Sequence, residues 1–434
     1  MYVSHSFQQK LERLPRWSLS VYAAVCSFCV YFCMYAFRKP FTAAGYNGMS
    51  FLHVDYKVWL VSAQVIGYML SKFYGIKFIS SMYGPRRANT IVILVLFAWL
   101  ALFLFAITPM PYNIIFLLIN GFPLGMIWGL VFSYLEGRKS TEFTGAVLSV
   151  SFIFSSGVVK SAGKWLMLDW NISEFWMPFV TGAFFVLPLI LFTFLLNHLP
   201  PPSAADVAMR HERKAMTKSE RKTFIAAFLP GLIMIVFTYM LLTILRDFRD
   251  NFANELFTEL GFGNNASIFT ETEVPVSLIV LLCMALLVLE KNNFKAFVIN
   301  HIIIIAGYAL ALLSTILFIN HSISALYWMV LIGTGLYLSY VPFNCLYFER
   351  MIATYRINAN VGFVMYISDS FGYLGSVLVL FGKQLAGQNM SWTSFFENVV
   401  IIISLVGIAG TALALFYFNK KYYSQPSSPL PYVA

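Results

Sequence analysis

Apolar runs of about 20 residues recur along the whole chain, and short polar segments separate them. A run of that length lets an α-helix cross the roughly 30 Å hydrocarbon core of a bilayer. The pattern predicts twelve membrane-spanning helices, six before and six after a polar segment at 198–222. Their predicted bounds are 17–44, 56–78, 88–108, 112–135, 143–167, 174–197, 223–247, 271–290, 296–319, 325–348, 360–383 and 395–418. The expected fold class is therefore all-α and integral to the membrane.

The polar segments divide the chain into five predicted parts. The first apolar run is too long for the core of a typical signal peptide, so we expect it to remain as the first helix. The five parts are a cytoplasmic N-terminus (1–16), a six-helix bundle (17–197), a Pro-rich and then basic cytoplasmic linker (198–222), a second six-helix bundle (223–418) and a cytoplasmic tail (419–434).

Composition supports a multi-pass membrane protein. Hydrophobic residues make up 59% of the chain and charged residues 11%, whereas a soluble domain has roughly 25% charged residues. The net charge is +10. The basic residues concentrate in the segments that lie on the same side of the membrane as the N-terminus. That asymmetry predicts that both termini are cytoplasmic. The basic residues do not cluster with interleaved aromatic residues, so we expect no nucleic acid partner. Short loops favour a bacterial inner membrane, and we expect a monomer.

The first predicted span ends in the stretch Tyr31–Phe41, which reads Y-F-C-M-Y-A-F-R-K-P-F. A charged side chain at membrane depth costs a few kcal/mol or more, so its presence points to function. Tyr31, Tyr35 and Arg38 are spaced i, i+4 and i+7, which places them on one face of a helix. Two hydroxyls and a guanidinium on one face form a candidate anion site. The alternative for Arg38 is an anchor at the membrane interface.

The same spacing returns 208 positions later as Tyr239, Thr243 and Arg246. A second match lies at the ends of the fourth and tenth spans, where Glu136 and Glu349 are 213 positions apart. Two matches at nearly the same offset predict a six-plus-six repeat and a pseudo-symmetric site.

Ionisable residues inside or at the edge of the predicted spans are mainly cationic. Buried positive charge is unstable unless an anion enters or nearby acids compensate for it. The excess of cations therefore favours an anionic substrate, and the planar donors of arginine suit phosphate or carboxylate. The residues are Arg38, Lys39, Lys72, Lys77, Lys160, Lys164, Arg246, Asp247, Arg249, Asp369 and Lys383.

Some of the other groups also have a second interpretation. Instead of binding a substrate, Lys72 could extend its side chain past the cytoplasmic end of its helix to reach water. Arg249 stands beside Asp247 and Asp250, which favours an exterior salt-bridge cluster. Asp369 in the eleventh span is either a proton carrier or the counter-ion of a lysine.

The sequence offers no catalytic or metal-binding motif. Cys26, Cys29 and Cys33 share a helix face, but no histidine or acid on that helix completes a metal set, so we expect them to pack. The stretch Gly157–Lys164 resembles a phosphate loop, yet it lacks the Ser/Thr after the lysine and a preceding strand. We therefore expect no cofactor and no enzyme.

The layout resembles the major facilitator superfamily, and three stretches are similar to its organophosphate:phosphate antiporter branch, which includes glycerol-3-phosphate and hexose-phosphate transporters. They are Y-x-x-x-Y-x-x-R-K-x-F at Tyr31–Phe41, G-Y-x-x-S-K-F at Gly67–Phe73 and F-G-Y-L-G at Phe371–Gly375. The resemblance implies two pseudo-symmetric six-helix bundles with a central site, and alternating access to that site.

The resemblance also implies roles for individual residues. Arg38 and its counterpart Arg246 would bind the phosphate. Tyr31, Tyr35, Tyr68 and Lys72 would line the pocket, Lys39 is a further feature of the branch, and Tyr373 is the tyrosine of the third stretch. Tyr239, from the repeat, and Lys160, which this chain adds in its fifth span, complete the predicted set.

The chain departs from the superfamily in the loop after the second span. That loop reads G-I-K-F-I-S-S-M-Y-G-P-R-R, with serines where the superfamily has an aspartate. Glu136 is a possible substitute in a gating salt bridge with Arg86 or Arg87. The histidine of the branch's fifth helix is Ser155 here, and the tyrosine three positions before the second arginine is Thr243.

These observations predict a secondary transporter that moves an organic anion, an organophosphate or sugar phosphate, in exchange for phosphate. Its partners would be that small anion and the lipid bilayer. One alternative is proton-coupled transport of an organic anion through Asp369. Another is a transporter-like sensor that binds the anion and signals through 198–222 or the C-terminus. The third, an integral-membrane enzyme, lacks a visible nucleophile or metal set.

Overall fold

The computed structural model describes residues 4–80, 86–202, 206, 218–355, 361–386 and 390–424. Most of the described chain is helical. The helices are α1 His5–Glu12, α2 Arg16–Tyr35, α3 Tyr56–Ser80, α4 Arg86–Ile107, α5 Ile114–Leu135, α6 Thr141–Asp169, α7 Met177–Asn197, α8 Lys218–Asn251, α9 Ala253–Glu259, α10 Ile268–Val288, α11 Asn293–Ile319, α12 Ala325–Cys345, α13 Tyr347–Tyr355, α14 Val361–Ala386 and α15 Trp392–Tyr423.

Each of the twelve predicted spans corresponds to one long helix, and the all-α fold is confirmed. Ten helices of the described chain are long and apolar enough to cross a membrane. The other two long helices, α3 and α14, occupy the second and eleventh predicted spans. Large apolar side chains such as Leu187, Leu282 and Leu378 are exposed on the long helices, as expected for surfaces that face lipid.

The first membrane helix is shorter than predicted. It ends at Tyr35, and residues 36–39 continue as turns in which the amides of Arg38 and Lys39 both donate to the Tyr35 carbonyl. Pro40 contributes to this end, because proline has no N–H to donate to the carbonyl four positions earlier, that of Ala36. A 3₁₀ turn, Pro40–Ala43, follows. The prediction that Arg38 continues the helical face of Tyr31 and Tyr35 is therefore wrong; Arg38 lies just beyond the helix.

Helix α8 is longer than predicted and ends at Asn251 rather than 247. Asp247, Arg249 and Asp250 therefore lie in its last turns, and the short helix α9 follows directly. Between the first two spans the chain makes a small antiparallel hairpin of β1 (Ser50–Phe51) and β2 (Val54–Asp55), in which Ser50 pairs with Asp55.

The chain forms two compact units. The first unit comprises residues 1–210, 247–278 and 377–395, and the second comprises 211–246, 279–376 and 396–434. The change of unit at residue 210 falls in the predicted linker 198–222, of which residues 203–205 and 207–217 lie outside the described chain. The predicted tail 419–434 is described only as far as residue 424.

Glycines bring helices into close contact within each unit. In the first unit, a Cβ atom on Gly67 of α3 would overlap the carbonyl of Leu118 in α5, and one on Gly121 of α5 would overlap the carbonyl of Gln64 in α3. In the second unit, Gly307 of α11 meets the Gly335 carbonyl of α12 in the same way. Such small residues let backbones approach closely in membrane helices. The α3–α5 contact fixes the helix face that carries part of the candidate site.

Candidate functional site

The first candidate site lies in the first unit, where the end of α2 meets α3. The guanidinium carbon of Arg38 lies 3.9 Å from the centre of the Tyr68 ring and 5.5 Å from that of Tyr35. Its Nη1 atom donates to the Tyr35 hydroxyl oxygen at 3.4 Å. Arg38 is only 7% exposed, so its charge is largely removed from solvent. A guanidinium over an aromatic face is favourably placed electrostatically, more so when it is desolvated.

Two further predicted residues join this group. The rings of Tyr31 and Tyr35 are 5.4 Å apart. The Lys72 ammonium lies 5.2 Å from the Tyr68 ring, one helical turn beyond it. We call these five residues, Tyr31, Tyr35, Arg38, Tyr68 and Lys72, the Arg38 cluster. It combines two cations, three hydroxyls and aromatic faces, which is a chemistry suited to an anion.

The backbone that carries Arg38 is held by two amide side chains that sequence reasoning missed. Gln64 Nε2 donates to the Arg38 carbonyl at 2.9 Å and to Asn120 Oδ1 at 2.8 Å. Asn120 Nδ2 donates to the carbonyls of Phe37 and Ala98 at 3.0 and 2.9 Å. One uncharged amide in each of two largely apolar helices has no periodic signal, so the sequence alone did not distinguish them.

The second candidate site lies in the second unit. The guanidinium carbon of Arg246 lies 4.2 Å from the centre of the Tyr340 ring. The Tyr239 hydroxyl donates to Asp369 Oδ1 at 2.5 Å and also hydrogen-bonds the Tyr340 hydroxyl at 2.9 Å. Tyr373 lies one helical turn beyond Asp369 on α14. We call these five residues, Tyr239, Arg246, Tyr340, Asp369 and Tyr373, the Arg246 cluster; the structure thus adds Tyr340 to four residues that the sequence predicted.

Thr243, the third member of the repeated triplet, has a local role. Its hydroxyl donates to the Tyr239 carbonyl at 2.8 Å within α8. A Cβ atom on Gly372 of α14 would lie 2.7 Å from the same hydroxyl oxygen. Thr243 therefore lies where α8 and α14 pack closely.

Lys39 and Lys160 bind an acid of the first unit. Their ammonium groups lie 2.5 and 2.7 Å from the two carboxylate oxygens of Asp250. Lys39 also donates to Asn251 Oδ1 at 2.7 Å, and the Ser156 hydroxyl donates to Asp250 at 2.5 Å. Both lysines are buried, so this carboxylate compensates charge that the sequence assigned to a substrate. Their predicted role in substrate binding stays a prediction, and the structure supplies a second role for each.

Two neighbouring ion pairs reduce the excess of positive charge further. Arg249 Nη1 lies 2.6 Å from Glu273. The sequence had suggested its neighbours Asp247 and Asp250 as partners. Lys57 lies 2.7 Å from Glu255 in α9. Burial raises the pKa of Glu255, and Lys57 opposes that rise. The sequence underestimated this compensation because each acid lies on a different helix from its cation.

The residues predicted to form a gate lie where α4 begins and α5 ends. Arg87 Nη1 donates to the Ser133 carbonyl at 3.2 Å, and its guanidinium carbon lies 5.7 Å from the Tyr134 ring. Arg86 is exposed, and Glu136 directly follows α5. The serines of the preceding loop fall partly in residues 81–85, outside the described chain. The gating role of these residues stays a prediction.

Comparison with known proteins places the chain in a family. Residues 40–421 match DUF5690, a family of unknown function. The chain belongs to DUF5690. No curated protein matches its sequence. Within the described residues of this DUF5690 member, no group of three or more His, Cys, Asp or Glu side chains is placed to bind a metal.

Several solved transporters share the fold of this DUF5690 protein. A bacterial homologue of the human drug peptide transporters PepT1 and PepT2 has a TM-score of 0.63 at 12% identity, covering 94% of this chain and all of that one. The nucleoside transporter NupG has a TM-score of 0.57 at 15% identity, covering 94% and 100%. The xylose transporter XylE from E. coli, in a partially occluded inward-open conformation, has a TM-score of 0.58 at 15% identity, covering 93% and 97%. The DUF5690 chain therefore has the twelve-helix fold of major facilitator transporters.

Proposed function

We propose that this DUF5690 protein is a secondary transporter that moves an organic anion across the membrane by alternating access. The fold supports transport, because similar structures belong to transporters of xylose, nucleosides and peptides. Those substrates are theirs, and the fold alone does not select among them. The two arginine clusters favour an anionic substrate.

The observation that carries the proposal is the placement of Arg38 over Tyr68. Stacking engages the flat face of a guanidinium, whereas phosphate and carboxylate bind along its N–H edge. Lys72 adds a second positive charge within the same cluster, and Tyr31 and Tyr35 add hydroxyls. Arg246 over Tyr340 presents the same chemistry in the second unit. The favoured substrate is therefore an organophosphate or a sugar phosphate, exchanged for inorganic phosphate.

A counterflow assay tests both the substrate class and the exchange. Proteoliposomes preloaded with phosphate should take up labelled glycerol 3-phosphate or glucose 6-phosphate faster than proteoliposomes loaded with chloride. Neutral glucose and xylose should not be taken up under either condition, because neither cluster gains by binding an uncharged sugar. Uptake of the neutral sugars with no uptake of the phosphates would remove the anion proposal.

A second candidate, proton-coupled transport, is favoured by one contact in the Arg246 cluster. Asp369 is 8% exposed and accepts a hydrogen bond from Tyr239, and a carboxyl buried at membrane depth is a typical proton-carrying group. This mechanism predicts that an inward pH gradient drives anion uptake without internal phosphate. Asp369→Asn should then abolish the response to the gradient while retaining exchange at equal pH. Uptake that ignores the gradient in the wild type would leave phosphate exchange as the only candidate.

A further inference from the structure

The end of α2 exposes two backbone carbonyls inside the protein. Pro40 ends the helix, so the carbonyls of Phe37 and Arg38 accept hydrogen bonds from Asn120 and Gln64 rather than from the following turn of a helix. Phe37 is fully buried and Arg38 nearly so. Buried backbone carbonyls are almost always paired, so some side chain must fill this role wherever the helix stops here.

Gln64 and Asn120 fill the role as one closed network. Each amide nitrogen carries two hydrogens, and all four are used: Gln64 donates to the Arg38 carbonyl and to Asn120, and Asn120 donates to the carbonyls of Phe37 and Ala98. Gln64 is 3% exposed and Asn120 is fully buried. The network joins the end of α2 to α3, α4 and α5. Fully satisfied buried networks of this kind fix one geometry.

The same face of α3 acts on both ends of the Arg38 residue. Gln64 binds its backbone carbonyl, and Tyr68, one turn further along α3, lies under its guanidinium. Gly121 of α5 packs directly against the Gln64 backbone, which keeps this face of α3 at a fixed distance from Asn120. The position of the charged group thus depends on the two amides as well as on its own side-chain contacts.

We propose that Gln64 and Asn120 are positioning residues that hold Arg38 over Tyr68 in the geometry that binds an anion. This deepens the proposed function, because it assigns residues that act on the substrate through Arg38 without touching it. The competing role is purely structural, in which the amides stabilise the bundle and Arg38 is indifferent to them.

Chemical modification separates the two roles without any transport measurement. Phenylglyoxal reacts with arginine side chains, and mass spectrometry of the labelled full-length protein gives a rate for Arg38 and for Arg246. In Gln64→Met and Asn120→Leu, which keep side-chain volume, Arg38 should be labelled several-fold faster and Arg246 at the wild-type rate. Asn300→Leu is the matched control, because Asn300 is a buried amide that donates to the Ala296 carbonyl of its own helix.

Each outcome of the labelling decides the proposal. Faster labelling of Arg38 alone in Gln64→Met supports it. Unchanged labelling of Arg38 in folded Gln64→Met overturns it, and so does equal acceleration at both arginines, which indicates general loosening. Gln64→Met, which leaves the Asn120 bonds to α2 and α4 in place, remains informative if Asn120→Leu does not fold.

Transport supplies a second readout that a structural role does not move. In an otherwise wild-type background, Gln64→Met should raise the KM for labelled phosphate exchange several-fold. In an Arg38→Lys background, Gln64→Met should raise the KM much less, because the guanidinium that Gln64 positions is already absent. Equal losses in the two backgrounds would contradict the proposal. Absence of phosphate exchange in the wild type would instead overturn the proposed function and leave the labelling result intact.

Discussion

At the scale of single residues, the proposed anion site depends on the stabilisation that a tyrosine ring gives to a buried arginine. Arg38 lies 3.9 Å above Tyr68 and is 7% exposed. The ring stabilises the charge through its face while the guanidinium edge retains the geometry that matches phosphate. A lysine at the same place would offer a point charge without that fork.

This difference gives a prediction at two adjacent positions. Arg38→Lys should lower phosphate exchange roughly tenfold, since one charge-assisted hydrogen bond of about 1.5 kcal/mol is lost. Lys39→Arg should cost less, because Lys39 binds Asp250 rather than a ring of the Arg38 cluster. Initial rates in proteoliposomes at matched protein content measure both. Equal losses would remove the distinction between the two cations.

Asp250 gives a prediction about stability. Asp250→Asn removes the charge that compensates Lys39 and Lys160 together, and breaking a buried ion pair in this way costs about 3–5 kcal/mol. The melting temperature of the purified protein should therefore fall by several degrees. Glu290→Gln breaks an exposed pair with Lys295 and should leave the melting temperature unchanged. Equal melting temperatures for Asp250→Asn and the wild type would show that the lysines do not need this acid.

The sequence predicted much of the Arg38 cluster and little of its support. Tyr31 and Tyr35 follow from helical spacing, Lys72 from its charge within a predicted span, and Tyr68 from the resemblance. Gln64, Asn120 and Tyr340 have no such signal, because each is one polar or aromatic residue whose partners are distant in the chain. The two lysine partners of Asp250 were missed for the same reason, since Asp250 follows Lys160 by 90 positions.

At the scale of the elements, apolar periodicity placed the twelve long helices but not all of their ends. The predicted first span continues to residue 44, whereas α2 stops at Tyr35. Hydropathy does not register that a proline removes a donor or that amides elsewhere replace the lost bonds. It also ended α8 at 247, although the charged residues that follow stay helical to Asn251 with ion-pair partners.

The close contact of α3 and α5 gives a prediction at this scale. Gly121→Ala places a methyl group against the Gln64 carbonyl and should destabilise the protein by about 1–3 kcal/mol through overpacking. It should also lower phosphate exchange, because Gln64 and Tyr68 move with α3. Thermal unfolding and exchange rates measure the two effects. Gly382→Ala in α14 is the control, since a Cβ atom there meets nothing within 4 Å; a similar fall in that variant would discount the packing argument.

At the scale of the whole molecule, each of the two units places an arginine over a tyrosine ring, but the surroundings of the two arginines differ. Each has a guanidinium about 4 Å from a tyrosine ring, but the ring comes from the second span in one unit and from the tenth in the other. The charges differ as well, because Lys72 accompanies Arg38 whereas Asp369 belongs to the cluster of Arg246. The 208-position offset predicted the repeated arginine, and it did not predict this difference.

The difference between the units predicts unequal roles for the two arginines. Arg38→Ala should raise the KM for phosphate more than Arg246→Ala does, because the Arg38 cluster has two cations while the Arg246 cluster contains an acid. Exchange measured over a range of phosphate concentrations gives both values. A larger effect of Arg246→Ala would reverse the assignment of the main anion site.

We infer that an anion crosses the membrane through a site that includes Arg38, and phosphate exchange is the direct assay for such a site. Labelled phosphate should enter proteoliposomes that contain the wild-type protein and internal phosphate. Arg38→Ala should lower the rate by about 100-fold, as expected for loss of a bidentate charged contact of about 3 kcal/mol. Arg13→Ala, at an exposed position before α2, should exchange like the wild type. No exchange by folded wild-type protein, or equal exchange by Arg38→Ala, would contradict the account.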